Sequence, residues 1–410
     1  MKKLKVAVIR EGKAPHDKRV PLIPSQCRQV LNAYPELELI VQPSPWRAFK
    51  DEEFIKEGIP LQENLQDCDI LMGIKEVPVN ELLRDKKYLF FSHTIKKQSR
   101  NQLLFQQLIK KNITLIDYEC LVDKQDNRVI GFGRYAGIVG AYNGIMAYGF
   151  KYRIFELKDA SLCHDKKELF SELEKANLPN IKIVVTGSGR VANGACETMG
   201  AMGLRKVTPY EFLNYTFREP VYVQLHSEDY FAARDNSPFS SWEFHHNPGS
   251  YRCTFSDADS FASMTDILIH CTFWDPRADI MFSKDRMCDP DFRISVIADV
   301  TCDINGSIPS TERSGTIEDK FYGYNPFTKN ETDAFDKASI TIMAVDNLPC
   351  ELPRDASDGF GKHLIERVLP SLFGNDTIGI IERGTVLKNG KLTERFKYLT
   401  DYANEINFEA

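Results

Sequence analysis

The sequence contains no apolar run of the roughly 18–20 residues that are needed to cross a bilayer. At the N-terminus, only a short apolar run precedes Arg10, which is too short for the hydrophobic part of a secretory signal. The same stretch has the composition of a first β-strand. These absences predict a cytoplasmic protein that is not associated with membranes.

The ten cysteines form no C-x-x-C pair, and no Cys/His cluster has the spacing of a zinc site. In a chain of 410 residues, scattered cysteines favour reduced thiols over a disulfide framework. We therefore expect no metal site.

The sequence also lacks a large excess of charge of either sign, because it has 52 Lys and Arg and 58 Asp and Glu, which gives a net charge of −6. Such a balance gives no bulk attraction to nucleic acid or to an anionic membrane. We expect small molecules as partners, and a homo-oligomer is left open. The length, with 42% hydrophobic residues, predicts two domains.

A glycine-rich turn lies far into the chain, between an apolar run that begins at Ile181 and a helix-compatible segment from Arg190. Its small residues have the spacing G-x-G-x-x-A-x-G, at Gly187, Gly189, Ala192 and Gly194. A strand that leads through such a turn into a helix N-terminus forms an anion site, because unpaired N–H groups and the helix dipole meet there. The pattern predicts dinucleotide binding, although glycine turns after strands are also common.

Strands and helices alternate along the chain, which is typical of a parallel α/β sheet. Helices are expected at 51–58, 96–111 and 131–150, the last one buried, and the tail at 391–406 has helix-like composition. The segment 210–260 shows no clear secondary-structure pattern. Strands are expected at Lys5–Ile9, Glu36–Gln42, Asp69–Ile74, Tyr88–Ser92, Ile113–Ile116, Arg205–Thr208, Asp266–Cys271 and Ser295–Val300.

Lys75 and His93 each follow an apolar strand, and the carboxyl ends of such strands carry the chemistry in doubly wound sheets. Desolvation of a lysine at this position lowers its pKa and makes it a candidate base, and a histidine titrates near neutral pH without help. The alternative is a surface lysine and a structural histidine.

Several cations lie near these strand ends and would suit a substrate with more than one carboxylate. They are Arg10, Lys13, Lys18, Arg19 and Lys96. Glu76 and Glu119 could hold a substrate ammonium or tune the lysine. An ordinary solvated surface is the alternative for all of them.

Seven short motifs follow one another along the chain: R-V-P-L-I-P (19–24), G-I-K-E (73–76), F-F-S-H-T-I-K-K-Q (90–98), L-I-D-Y-E (115–119), G-F-G-R-Y-A-G (131–137), I-A-D-V-T-C-D (297–303) and V-D-N-L-P-C-E-L-P-R-D-A-S (345–357). The first five, in this order, resemble the superfamily of lysine-forming saccharopine dehydrogenase and alanine dehydrogenase. The resemblance is strongest to the lysine–ketoglutarate reductase half of aminoadipic semialdehyde synthase, and the last two motifs strengthen it.

The resemblance implies two Rossmann-like α/β domains with parallel sheets and an active-site cleft between them. Residues 1–134 and 342–410 would form the substrate domain, and residues 135–341 the dinucleotide-binding domain. It also implies that Lys75 and His93 are the acid–base pair. The implied substrate-binding residues are Lys13, Arg19, Glu76, Lys96, Gln98, Glu119 and Arg128. For the cofactor, the glycine turn and the spacing beyond it predict Gly187, Ser188, Gly189, Arg190, Val191 and Thr208, and the resemblance adds Asp303. Val191 stands where some fungal members carry a cysteine, so their disulfide is not expected.

The implied activity is the reductive condensation of L-lysine and 2-oxoglutarate to saccharopine with NAD(P)H, or its reverse. Two alternatives remain open from the sequence. One is an alanine dehydrogenase or opine-type enzyme, and the other is a nucleotide-binding protein without catalysis.

For the cofactor, the sequence favours NADP(H) over NAD(H). An NAD site usually has an acid about 20 residues beyond the glycine turn, and Thr208 stands there instead. Arg190, Arg205 and Lys206 could attract a 2′-phosphate, whereas Glu211 would oppose it.

Overall fold

A computed structural model describes residues 3–404, and these form two compact units. One unit consists of the described residues up to Phe132 together with those from Pro353 onwards. The other is Gly133–Leu352. The assignment of substrate and dinucleotide binding to these units stays a prediction.

Strands and helices follow one another along both units. Up to residue 132 they are β1 (Leu4–Val8), α1 (Pro24–Ala33), β2 (Leu37–Val41), α2 (Asp51–Lys56), β3 (Ile70–Met72), β4 (Lys87–Phe90), α3 (Gln102–Lys110) and β5 (Thr114–Asp117). From 133 to 352 they are α4 (Gly133–Tyr152), α5 (Lys166–Glu172), β6 (Lys182–Thr186), α6 (Arg190–Ala201), β7 (Arg205–Lys206), α7 (Pro209–Asn214), β8 (Val221–Leu225), α8 (Ser227–Tyr230), β9 (Phe231–Ala233), α9 (Ser241–His246), β10 (Tyr251–Cys253), α10 (Phe261–Met264), β11 (Ile267–His270), β12 (Val296–Asp299), β13 (Phe321–Asn325), β14 (Asn330–Thr332) and β15 (Ile340–Met343). From 353 they are α11 (Pro353–His363), α12 (Leu369–Phe373), α13 (Ile380–Gly384), β16 (Thr385–Lys388), β17 (Lys391–Leu392) and α14 (Thr400–Asn404).

The first unit is built on a seven-stranded sheet in the order β17-β16-β5-β4-β3-β1-β2. The five strands from β5 to β2 are parallel, and β16 and β17 are antiparallel. Both faces are buried, because Val6 and Val8 of β1 belong to one apolar cluster and Ala7 and Ile9 to another. This explains why the strands have continuous apolar runs.

The strand order of the first unit determines where a ligand can bind. The parallel strands have the order 2-1-3-4-5, so successive strands are added to one side of β1 and then, from β3 onwards, to its other side. In open α/β sheets the ligand crevice lies at the carboxyl ends of the strands beside such a reversal. The segments that follow β1, β3, β4 and β5 therefore lie at the edge of the sheet that is suited to a site.

The second unit has an eight-stranded sheet in the order β14-β13-β15-β12-β11-β6-β8-β7. Six of these strands, from β15 to β7, are parallel, while β13 and β14 are antiparallel. The α/β class and the two mostly parallel sheets are confirmed. The segment 210–260, which had no clear pattern in the sequence, contains β8 and a small antiparallel pair of β9 and β10.

The strand expected at Arg205–Thr208 is present as β7, but it is shorter than expected. β7 has only two residues and lies at the edge of the sheet. β8 lies between β7 and β6. Both residues of β7 are exposed charges that suit an edge, whereas Val221–Leu225 is apolar enough for the interior.

The helix expected at 96–111 is shorter than predicted. Lys97 has a left-handed backbone with φ of 53°, and Gln98 is extended, so only short 3₁₀ turns precede α3. The tail forms β17, a 3₁₀ segment at Glu394–Leu399 and α14 rather than one helix. The last part of the predicted tail, residues 405–406, lies outside the described residues.

The buried helix predicted at 131–150 is confirmed as α4, which packs along α6. The two helices approach so closely that a Cβ on Gly194 would lie 2.0 Å from the Arg134 carbonyl oxygen. Only glycine fits at this position. Over residues 3–404, no helix is long and apolar enough to span a membrane.

We expect Gly194→Ala to lower the free energy of unfolding by about 1–3 kcal/mol, the usual cost of overpacking. Gly200→Ala is the matched control, because no atom lies within 4 Å of a Cβ at Gly200 on the same helix. It should raise stability by about 0.4–1 kcal/mol. Urea unfolding tests both, and equal stabilities of the two variants would contradict this packing.

Candidate active site and dinucleotide site

The buried carboxylate of Glu11 connects the ends of β1 and β3. It accepts the backbone N–H of Ile74 at 2.7 Å and that of Lys75 at 2.8 Å. Burial, with the nearby charge of Asp17, raises the pKa of Glu11 to about 8. Glu11 therefore fixes the backbone from which the Lys75 side chain extends.

Lys75 is half-buried, and its side chain has no hydrogen bond or ion pair with any residue in the described range 3–404. His93 follows β4, the strand beside β3, and the Phe91 N–H donates to the Ile74 carbonyl at 2.9 Å. Lys75 and His93 thus extend from neighbouring strand ends. An amine that is not engaged by the protein can exchange a proton with a bound molecule.

Glu76 joins two other predicted site residues. Its Oε1 lies 2.8 Å from His93 Nδ1, and its Oε2 lies 3.2 Å from Lys13 Nζ. Burial alone would raise the pKa of Glu76, but the hydrogen bond and charge of His93, a backbone N–H and Lys13 together lower it to about 2. Glu76 is therefore an anion that orients the imidazole.

A second buried carboxylate, Asp117, connects the ends of β4 and β5. It accepts the Ser92 hydroxyl, the Ser92 N–H at 3.1 Å and the Glu119 N–H at 2.8 Å. Burial raises the pKa of Asp117 to about 6. Asp117 holds the backbone next to His93 and next to Glu119.

Glu119 lies between two predicted cations. Its Oε1 is 2.9 Å from Arg128 Nη2 and 3.4 Å from Lys96 Nζ. Its Oε2 is buried and has no hydrogen-bond partner among residues 3–404. A buried carboxylate oxygen without a partner is costly, and a positively charged ligand group would remove that cost.

Arg19 is held by Asp17 in a buried two-point contact, with Nε–Oδ1 at 3.0 Å and Nη2–Oδ2 at 2.6 Å. Its guanidinium also lies 4.1 Å from the centre of the Phe132 ring. Gln98 accepts from Arg100 Nε through its side chain and from the Tyr402 hydroxyl through its carbonyl. The substrate contacts expected of Arg19 and Gln98 stay predictions.

In the second unit, the turn after β6 has the geometry of an anion site. Gly187 has φ of +96°, and a Cβ there would lie 3.1 Å from Thr272 Oγ1. Gly189 precedes α6 without a capping side chain from the described residues, and a Cβ at Gly189 would meet nothing within 4 Å. The N-terminus of this twelve-residue helix can therefore be approached closely at Gly189. A dinucleotide pyrophosphate fits such a turn.

The other predicted cofactor residues lie in several places of the second unit. Ser188 is exposed in the turn, Arg190 is exposed at the start of α6, and Val191 borders α4. Thr208 caps α7, where Glu211 Oε2 accepts both its N–H at 2.8 Å and its hydroxyl at 2.9 Å. Asp303 lies in the loop after β12, and its carbonyl accepts the Gly306 N–H.

Comparison with known proteins gives a consistent set of relatives. Residues 7–139 match the family described as alanine dehydrogenase/PNT, N-terminal domain. The α-aminoadipic semialdehyde synthase of Arabidopsis thaliana is 26% identical over 96% of this chain and 41% of its own length. The NAD⁺-dependent, L-lysine-forming saccharopine dehydrogenase of Yarrowia lipolytica is 25% identical, over 89% of this chain and 90% of its own. The chain is a homologue of these two kinds of enzyme.

The homology confirms the resemblance inferred from the motifs. Among solved structures, an L-alanine dehydrogenase aligns with a TM-score of 0.62 at 16% identity, covering 97% of this chain and all of that one. That likeness supports the fold. The chain spans less than half of the Arabidopsis protein, 41%, so the activity of that whole protein is not transferred to it.

Sequence reasoning missed Glu11, Asp17 and Asp117, the three carboxylates that position the predicted residues. Glu11 and Asp117 stand at the ends of apolar strands, which is the same signal that selected Lys75 and His93. Arg10, by contrast, is engaged by Glu63, with its Nη2 2.7 Å from Glu63 Oε1.

The low pKa of Glu76 predicts acid-dependent stability. Because the pKa is lowered from 4.5 to about 2 by folding, the charged carboxylate stabilises the protein above pH 4.5 and this contribution is lost as the pH falls towards 2. We expect wild type to exceed Glu76→Gln by up to about 3 kcal/mol near neutral pH, with the difference vanishing near pH 2. Urea unfolding across this pH range, with exposed Glu36→Gln as control, measures it. A pH-independent difference would contradict the ion-pair assignment.

Proposed function

We propose that the protein catalyses the reductive condensation of L-lysine and 2-oxoglutarate to saccharopine with a reduced nicotinamide cofactor, or the reverse reaction. The observation that carries this proposal is the buried, unpartnered Oε2 of Glu119 beside Lys96 and Arg128. A smaller substrate such as alanine would need neither this carboxylate nor the extra cations. The homology to a lysine-forming saccharopine dehydrogenase supports the same activity.

The charges of the candidate site match the proposed product. Saccharopine carries three carboxylates, which Lys13, Arg19, Lys96 and Arg128 could bind as cations. The ammonium of the lysine portion would be accepted by Glu119. Lys13 and Lys96 are each about half-exposed, with 50% of the side chain accessible, so their ion pairs with Glu76 and Glu119 can be exchanged for contacts with a ligand.

Lys75 is proposed to handle the proton of the substrate nitrogen. The lysine ε-amine must be uncharged to attack the carbonyl of 2-oxoglutarate, and in reverse the secondary amine must lose a proton before it gives up hydride. The Lys75 side chain is suited to this because no residue in the described range 3–404 forms a hydrogen bond or an ion pair with its amine.

His93 is proposed to carry protons to and from oxygen. Formation of the imine releases the carbonyl oxygen as water, which requires protonation of the carbinolamine hydroxyl. The imidazole can supply this proton through Nε2, since Nδ1 is held by Glu76. Loss of water leaves the imine protonated at nitrogen, and hydride addition to its carbon would then give the neutral secondary amine.

The dinucleotide is proposed to bind at the turn of Gly187–Gly189 and the N-terminus of α6. When bound, its nicotinamide supplies or accepts the hydride. We propose NADP(H) as the preferred form, because His226, which directly follows the strand beside the glycine strand, is not an acid.

Substrate identity is tested by an NAD(P)H oxidation assay with a matrix of amines and 2-oxo acids. We expect oxidation only when lysine and 2-oxoglutarate are both present. Turnover with pyruvate and ammonia but not with lysine would replace this proposal by an alanine dehydrogenase activity.

The acid–base pair is tested by Lys75→Met and His93→Gln. Each should lower kcat roughly 10²-fold, the usual effect of losing a positioned proton-transfer group, and leave dinucleotide affinity nearly unchanged. Lys110→Met, at the exposed end of α3, is the matched control. Wild-type kcat in both site variants at all pH values would refute the assignment.

Cofactor preference is tested by kcat/KM for NADPH and NADH in the same assay. We expect NADPH to be preferred, since the residue that directly follows β8, His226, is not an acid that could accept a ribose 2′-hydroxyl. A preference of about tenfold or more for NADH, equal to about 1.4 kcal/mol, would contradict the proposed cofactor.

A further inference from the structure

We infer that Lys206, held against the glycine turn by Gln224, binds the 2′-phosphate of the dinucleotide. The inference rests on the proposed dinucleotide site. It assigns the recognition of one cofactor group to Lys206 rather than to its neighbour Arg205.

The strand order puts β8, and not β7, beside the strand that carries the glycine turn. β8 pairs in parallel with β6 from Val221 to Leu225, and β7 pairs only with β8. In dinucleotide-binding sheets, the end of the strand next to the glycine strand faces the adenosine ribose. Here that end is the segment Gln224–His226.

A chain of hydrogen bonds connects Lys206 to the glycine turn across this strand end. Lys206 Nζ donates to Gln224 Oε1 at 2.8 Å, and Gln224 Nε2 donates to the Gly187 carbonyl at 3.0 Å. Gln224 Nε2 also lies 3.4 Å from Asn193 Oδ1, in the first turn of α6. The ammonium is therefore held two hydrogen bonds from the turn, although its backbone belongs to the outer strand.

Lys206 and Arg205 differ in their surroundings. Arg205 has two acidic neighbours, Glu211 at 3.7 Å and Glu219 at 3.6 Å. Lys206 forms no ion pair with a carboxylate of the described residues, and its one hydrogen-bond acceptor is a neutral amide. An exposed cation without a counter-ion can bind a phosphate without giving up an ion pair, whereas Arg205 would have to exchange its contacts with Glu211 and Glu219.

The residue that directly follows β8 is not an acid that could accept a ribose hydroxyl. His226 comes directly after the strand, and the carboxylate of Asp229 accepts the His226 N–H at 2.7 Å. Glu228 Oε1 lies 3.8 Å from His226 Nδ1. The acid typical of NAD sites is thus replaced by an imidazole, and the nearest carboxylates contact that residue.

Isothermal titration calorimetry with two probes tests the inference without turnover. Adenosine 2′,5′-bisphosphate and adenosine 5′-monophosphate differ only in the 2′-phosphate. Wild type should bind the bisphosphate about tenfold or more tightly than the monophosphate, as expected for one charge-assisted hydrogen bond. Lys206→Met should abolish this difference by weakening only the bisphosphate.

Two further variants serve as controls, each checked for an unchanged thermal unfolding temperature. Lys206→Arg should restore most of the preference because it keeps the charge, and Arg205→Met should leave it intact. Loss of the preference in Arg205→Met but not in Lys206→Met would overturn the inference, as would equal wild-type affinity for the two probes. If neither probe binds wild type, the proposed dinucleotide site is wrong. If the binding results contradict the role of Lys206 but the protein still shows lysine-dependent turnover with NADPH, only the assignment of Lys206 has failed.

Discussion

Two buried carboxylates hold the edge of the first sheet on which the candidate active site depends. Glu11 accepts the N–H groups of Ile74 and Lys75, and Asp117 accepts the N–H groups of Ser92 and Glu119. Each joins the ends of strands that are neighbours in the sheet. An unpaired buried N–H costs about 1–3 kcal/mol, so these contacts also satisfy the backbone where the strand ladders end.

The second unit uses backbone in place of side chains for the same purpose. Its proposed anion site consists of the turn at Gly187 and Gly189 and the start of α6, which has no capping side chain from the described residues, and the positive φ of Gly187 favours a residue without a side chain. The two units thus carry complementary parts of one proposed reaction. The first offers titratable groups and cations, and the second offers N–H donors for a pyrophosphate.

The sequence predicted the elements with clear periodicity or motifs, including β3, β4, α4 and the turn at Gly187. It also placed both Glu76 and His93 among the predicted site residues. Their 2.8 Å contact depends on the parallel pairing of β3 and β4, which the sequence alone does not show. Local pattern could not reveal that β8 is inserted between β6 and β7, because strand order is set by long-range pairing. Nor could it show the roles of Glu11 and Asp117, since a buried acid looks like a surface acid until its backbone donors are known.

The transfer of deuterium into the product tests the central proposal most directly. Wild-type protein is incubated with lysine, 2-oxoglutarate and NADPH deuterated at the nicotinamide C4, and the products are analysed by mass spectrometry. We expect one product that joins both substrates through the lysine ε-nitrogen, with one deuterium on the carbon that was the ketone of 2-oxoglutarate. Recovery of deuterium only in alanine when pyruvate and ammonia are added, with none in a lysine adduct, would contradict the proposed reaction.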